Sequence, residues 1–437
     1  MEIGTITALL FLSLVVGLLT GLPLVYILGG LAVIFNFILL GPASLFIISS
    51  TAFGVMENFI LTSIPLFIFM GILLQHSGIA ENMFEMMHKW IGGIRGGLAM
   101  GTIIICTFFA AMSGISGAAT VTMGVIALPS MMKHNYHKSL AVGSISAGGA
   151  LGILIPPSVL MIVYGVFAGE SIGALFAGGV IPGFLLAFMF IVYIGIRSHF
   201  NPSLGPAVPK EERATWGERI VSLKAVILPI VLIFLVLGVI FKGIATPTEA
   251  AAIGALGALS CAALSRKLTW KVFKDTSYQT LGLSCMIIWI IIGGSCLTST
   301  YTAIGAVDFI SEIVAALPVS KYIILIGMQL SLIFLGMLLD PGGIIMICTP
   351  VFVPLIKTLG FDPIWFGVLF IVNMEMSYLT PPFGFNLFYM KSIVPSSITM
   401  IDIYKSVIPF VGIQALCLIL LILFPELATW LPSVIIK

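Results

Sequence analysis

Two short stretches of this sequence hold the atoms from which a cation site can be built. Met112-Ser-Gly-Ile-Ser-Gly-Ala-Ala-Thr120 is small and polar within an apolar segment; Ser113 and Ser116 supply hydroxyl oxygens, and Gly114 and Gly117 let the backbone turn and expose carbonyls. Leu338-Leu-Asp-Pro-Gly-Gly343 adds the carboxylate of Asp340 beside Gly342 and Gly343. Oxygen-only sets of this kind suit a small hard cation such as sodium. The alternative is a structural tip whose serines bond their own backbone.

Each stretch is matched by a double proline. In Ser146 to Ser158, Pro156 and Pro157 remove two backbone donors while Gly148 and Gly152 make opening cheaper, so an entering helix must break. In Asn373 to Phe383, Pro381 and Pro382 do the same, and Asn373 and Thr380 add side-chain oxygens. A carbonyl freed in lipid costs several kcal/mol unless protein, water or an ion satisfies it, so breaks at membrane depth indicate binding. Half-helix N-termini at the midplane can hold an anion without a buried arginine. Asn386 is expected to hydrogen-bond that anion, with Ser116, Ser158, Thr380 and Pro382 around it. An intramembrane carboxylate is expensive without a partner or an ion, which singles out Asp340. Glu375, one turn before the second break, reads equally as a coupling group or a structural acid, and Glu249 as a helix cap.

The elements that must position these residues are membrane helices. With 60% hydrophobic and 8% charged residues and a mean hydropathy of +1.22, the chain is a polytopic all-α membrane protein. Its apolar runs reach the roughly 20 residues that cross a bilayer as helix. Spans are expected near 5–20, 23–40, 59–75, 138–168 and 172–197, with a re-entrant hairpin over 97–133. The plan repeats with spans near 225–241, 243–265, 279–299, 363–392 and 404–424 and a hairpin over 323–357. At a displacement of 225, Gly117 meets Gly342, Pro129 meets Pro354, Tyr164 meets Tyr389, and the two proline pairs coincide. Residues 1–197 and 225–437 thus form two repeats, each with five spanning helices, one re-entrant hairpin and one broken helix (138–168 and 363–392). An odd number of crossings per repeat requires inverted topology.

Charge sets the orientation. If the first hairpin enters from the cytoplasm, all but four of the 19 Lys and Arg residues are inside, with Lys242, Lys321, Lys357 and Lys437 outside, and the N-terminus is periplasmic. Residues 198–224 are expected as a cytoplasmic linker ending in an amphipathic interfacial helix. The net charge of +2 gives no reason to expect nucleic acid. Six cysteines without paired spacing read as packing residues, and His134 and His137 as a solvated loop. No metalloprotease, serine-hydrolase or phosphate-loop signature occurs, so an enzyme is not expected. A non-transporting receptor or scaffold is the rival of a different class, and it has no need of two mirrored broken helices.

Five motifs in order carry a family resemblance: Gly152-Ile-Leu-Ile-Pro-Pro-Ser158, Phe176-Ala-Gly-Gly-Val-Ile-Pro-Gly183, Ala245-Thr-Pro-Thr-Glu-Ala-Ala-Ala252, Asp362-Pro-Ile-Trp-Phe-Gly367 and Thr380-Pro-Pro-Phe-Gly-Phe-Asn-Leu-Phe388. Over essentially its whole length the chain resembles the large, DctM-type membrane subunit of tripartite ATP-independent periplasmic (TRAP) transporters. The resemblance implies a sodium-driven importer of organic anions in the bacterial inner membrane. It also implies two partners, a small four-helix membrane subunit and a soluble periplasmic binding protein, and an elevator motion of hairpins and broken helices against a scaffold. By the same resemblance one sodium site uses Ser113, Ser116 and the break from Gly152 to Pro156, and another uses the Asp340 to Gly343 tip with Thr380. Within transport, the alternative is a stand-alone dicarboxylate or citrate symporter.

Overall fold

A computed structural model describes residues 2–315 and 318–435. The fold is 81% helical, with no strand among the described residues. Among the described residues, seven helices are long and apolar enough to cross a membrane, including Ile172–Phe200, Trp270–Ala303 and Met400–Leu423. Lys437, expected outside on charge grounds, lies outside the described residues.

The expected spans appear close to their places, as Ile3–Leu19, Leu24–Leu40, Ser63–His76, Lys224–Phe241 and Pro247–Leu264. Trp270–Ala303 runs longer than the span expected over 279–299, because its first turns carry Lys271, Lys274 and Asp275, which a hydrophobic window discards although they are good in a helix outside hydrocarbon. Four helices were not legible as spans. Leu45–Met56 is short, Ala306–Ala315 and Glu426–Ile435 are shorter still, and Ile79–Ile91 is amphipathic with charged residues on one face. Helix starts follow local chemistry. Thr246 and Glu249 form a capping box, with the Thr246 N–H donating to Glu249 Oε2 at 2.7 Å, so Glu249 caps its helix.

Each predicted hairpin is a pair of helices. The first joins Gly97–Ser113 to Ser116–Lys133, and the second joins Lys321–Gly336 to Pro341–Thr358. The first predicted break separates Lys138–Ala150 from Val159–Ala168, and the second separates Pro363–Ser377 from Phe385–Ile393. Both double prolines contain a cis bond.

Packing follows the same plan in both halves. Leu24–Leu40 lies on Trp270–Ala303, and Pro247–Leu264 lies on Ser63–His76. In each hairpin the second arm packs on the second half of the other repeat's broken helix: Ser116–Lys133 on Phe385–Ile393, and Pro341–Thr358 on Val159–Ala168. Lipid offers no hydrophobic drive between helices, so close approach of small residues substitutes for it. The Ala and Gly face of Pro247–Leu264 does this, with Ala250, Ala251 and Ala258 fully buried. The linker, with its helix Trp216–Ser222, folds beneath the base of the first hairpin: Gly96 N–H donates to Gly205 O at 2.8 Å, and Trp90 Nε1 donates to Arg219 O at 3.1 Å.

Candidate functional site

The first hairpin turns on Gly114, whose φ of +63° is the left-handed region. A side chain there would also collide with Pro157 O. The tip therefore sits directly on the first break: Val159 N–H donates to Gly114 O at 3.4 Å, and Gly152 lies against the backbone of Ile115 and Ser116. The second tip is built differently. Asp340 caps the next helix by accepting from Gly342 N–H at 2.9 Å, with Pro341 in the first helical position. Gly336, at the end of its first arm, packs against Ser377 at the second break.

The breaks free carbonyls, and their fates differ. Pro156 and Pro157 cannot donate to Gly152 O and Ile153 O. Ile153 O accepts instead from the Ser158 hydroxyl, which also caps the following half-helix by accepting from Met161 N–H at 3.3 Å. In the second break, Ser377 O and Tyr378 O accept from Thr380 N–H and Asn386 N–H at 3.2 Å each. Gly148 O accepts from the N–H of Leu151. Thr380 Oγ1 donates back to Met376 O at 2.8 Å, leaving its lone pairs available. Asn373 donates to Gln329 O and Gln329 Oε1, both at 3.0 Å, tying the second broken helix to the second hairpin.

Ser113 is fully buried and its hydroxyl has no hydrogen-bond partner. A buried hydroxyl so left costs about 1–3 kcal/mol. An orphaned oxygen flanking a tip that rests on the first break, against Pro157 O and Gly152, fits a hard cation ligated by oxygens.

A cavity of about 990 Å³ lies between these elements and the helices Leu24–Leu40, Leu45–Met56 and Trp270–Ala303. Both tips border it: Gly114, Ile115, Ser116 and Gly117 from the first, Asp340 and Gly342 from the second. Tyr378, Phe385 and Tyr389 complete that wall, and Tyr26, Ile48 and Trp289 stand opposite. Among the described residues, Asp340 is its only charged lining side chain, and it shares the lining with Tyr378 and Tyr389.

Of the five residues expected around an anion, Ser116 alone borders the cavity. Ser158 is a buried cap. The Pro382 carbonyl accepts from the Tyr404 hydroxyl at 3.0 Å, Thr380 bonds its own helix, and Asn386 is fully buried among protein partners. Neither Gly343, which lies against Leu24, nor Gly148, which lies against Cys106, lines the cavity. Sequence reasoning missed Tyr26 and Tyr378. Tyr389 carried a signal through its match with Tyr164, although Tyr164 itself is fully buried.

The sequence matches the family described as Tripartite ATP-independent periplasmic transporter, DctM component, over residues 11–427. It is 32% identical to the C4-dicarboxylate TRAP transporter large permease protein DctM of Vibrio cholerae, covering 98% of each chain. It is 30% identical to the isethionate TRAP transporter permease protein DctMQ of Oleidesulfovibrio alaskensis, covering 94% of this chain and 64% of that longer protein. Among solved structures, the YdaH transporter of Alcanivorax borkumensis superposes with a TM-score of 0.65 over 94% of this chain and 98% of its own, at 12% identity.

Proposed function

This chain belongs to the DctM family of tripartite ATP-independent periplasmic transporters, and from that premise we propose that it imports a small organic anion together with sodium by an elevator motion. As a transporter permease it is not an enzyme. The observation that carries the reading is the cavity itself, bordered on one wall by both hairpin tips and on the other by Leu24–Leu40, Leu45–Met56 and Trp270–Ala303. In this reading the tips and broken helices, drawn from residues 1–197 and 225–437, move as one body, and the linker 198–224 joins the two repeats.

Sodium is a co-substrate. Its proposed ligands are Ser113, Ser116 and the Gly152 to Pro156 break at the first tip, and Asp340, Gly342 and Thr380 at the second. An anion beside Asp340 would meet like charge in a low dielectric, and bound cations offset that repulsion. Asp340 has two separable roles. Asp340→Asn keeps an N-cap oxygen and removes the charge, whereas Asp340→Ala also loses a cap worth about 0.5–2 kcal/mol. Both variants are expected to need roughly tenfold more sodium for half-maximal uptake, and only the alanine variant to melt earlier without sodium. Unchanged sodium titrations in both would remove Asp340 from the site.

The N-terminus is proposed to be periplasmic. Contacts of the first hairpin's base with the basic linker support this: Arg213 lies against Gly93, the Arg219 carbonyl accepts from Trp90 Nε1, and His137 N–H, beside Lys138, donates to Leu204 O. The partners proposed are the family's small membrane subunit and a periplasmic binding protein. Lys224–Phe241 supports the former, with Ile227, Val231 and Phe234 more than half exposed on an apolar flank. Uptake in proteoliposomes is expected to require this chain, the small subunit and the cognate binding protein together. Robust sodium-driven uptake by this chain alone would favour a stand-alone symporter.

A further inference from the structure

Asn386 comes from the helix after the second break, yet the polar partners of its side chain all belong to the first repeat. Ser116 Oγ and Thr120 Oγ1 donate to its Oδ1 at 2.8 and 2.9 Å, and its Nδ2 donates to Ser146 O at 2.9 Å. Asn386, Thr120 and Ser146 are fully buried, and Ser116 is 2% exposed. The bond to a backbone carbonyl fixes which end of the amide is oxygen, because only the nitrogen can donate there. The amide oxygen has two lone pairs, and each is taken by one hydroxyl.

A hydroxyl has one proton. Once Ser116 and Thr120 have given theirs to Asn386, each presents only lone pairs on its remaining sides. Such an oxygen can coordinate a cation, and it cannot donate to a carboxylate or sulfonate without breaking the bond to Asn386. Close packing keeps Thr120 in place, since a side chain at Gly149 would collide with Thr120 Oγ1.

We infer that Asn386 is a positioning residue of the first cation site, turning the Ser116 and Thr120 hydroxyl protons away from the ion and linking that site to the second repeat. The inference rests on the sodium reading above and deepens it. It moves Asn386 from the substrate to the ion, and it adds Thr120, a residue that tip spacing alone does not single out.

The test uses the full chain with its small subunit, titrated with sodium chloride against choline chloride and followed by thermal unfolding. Asn386→Leu, close in shape and without polar atoms, is expected to raise the sodium concentration for half-maximal stabilisation about tenfold. Ser116→Ala is expected to do the same, and the double variant to add little, because both changes remove one linked interaction. An unchanged sodium midpoint in Asn386→Leu, or shifts that multiply fully in the double variant, would overturn the inference. If Asn386→Leu yields no folded protein, Thr120→Val replaces it, with a raised midpoint expected and an unchanged one counting against. A wild-type protein indifferent to sodium would instead defeat the sodium reading itself, an outcome distinct from a sodium-sensitive wild type with a silent Asn386.

Discussion

Replacing Ser113 by alanine is expected to strip about half of the sodium-dependent stabilisation from this protein while leaving the sodium-free form no less stable. The two halves of that expectation have one physical source. Ser113 is fully buried with an unpartnered hydroxyl, so without an ion the native state bears a desolvation penalty of about 1–3 kcal/mol that alanine removes. Replacing the hydroxyl by hydrogen removes a single oxygen atom, so no sizeable cavity follows. With sodium present a loss of ligation works against that gain. An ion that binds only the folded state stabilises by mass action, about 2.7 kcal/mol at one hundred times its dissociation constant. A lost ligand that weakens binding tenfold halves this to about 1.4 kcal/mol at the same sodium concentration. Differential scanning fluorimetry over a sodium series measures both arms. A variant destabilised equally with and without sodium would make Ser113 a structural residue of the tip.

Much of the architecture was legible because local rules wrote it. Proline pairs cannot continue a helix whatever surrounds them, so the breaks appear where Pro156 and Pro381 stand. Ser-Gly-Ile-Ser-Gly cannot be a lipid-facing helix centre, and the chain turns there. The cavity was less legible, because its far wall comes from helices whose pairing in lipid depends on close packing, not on amphipathic periodicity. Tyr26 and Trp289 are ordinary membrane aromatics in sequence, and only the seating of their helices brings them opposite Tyr378 and Tyr389. Asn386 illustrates the other limit. Its position after the break was noticeable, but its partners lie 240 to 270 residues away, and no spacing rule reaches that far.

Access to the two tips is expected to alternate, with nearly complete gain or loss of labelling from each side of the membrane. The first hairpin's base contacts the linker, which is proposed to be cytoplasmic, and the second hairpin enters from the other face if the repeats are inverted. A body carrying both tips past a fixed wall would then expose the second tip to the periplasm in the outward state and the first to the cytoplasm in the inward state. Glycines at the tips make poor reporters. A side chain at Gly117 would lie 2.7 Å from the Tyr389 ring, and one at Gly343 would strike Leu24. Ile115, half-buried on the cavity, and Leu338, 41% exposed, hold side chains already and accept Ile115→Cys and Leu338→Cys with less disturbance. Three native thiols need replacement first: Cys285 is exposed, Cys296 lines the cavity and Cys348 lies on the second hairpin. An impermeant maleimide should then label Leu338→Cys from the periplasm mainly in the outward state, and Ile115→Cys from the cytoplasm mainly in the inward state. Labelling of both positions from one side, whatever the sodium and substrate conditions, would rule out the elevator motion even though the two halves share their order of elements.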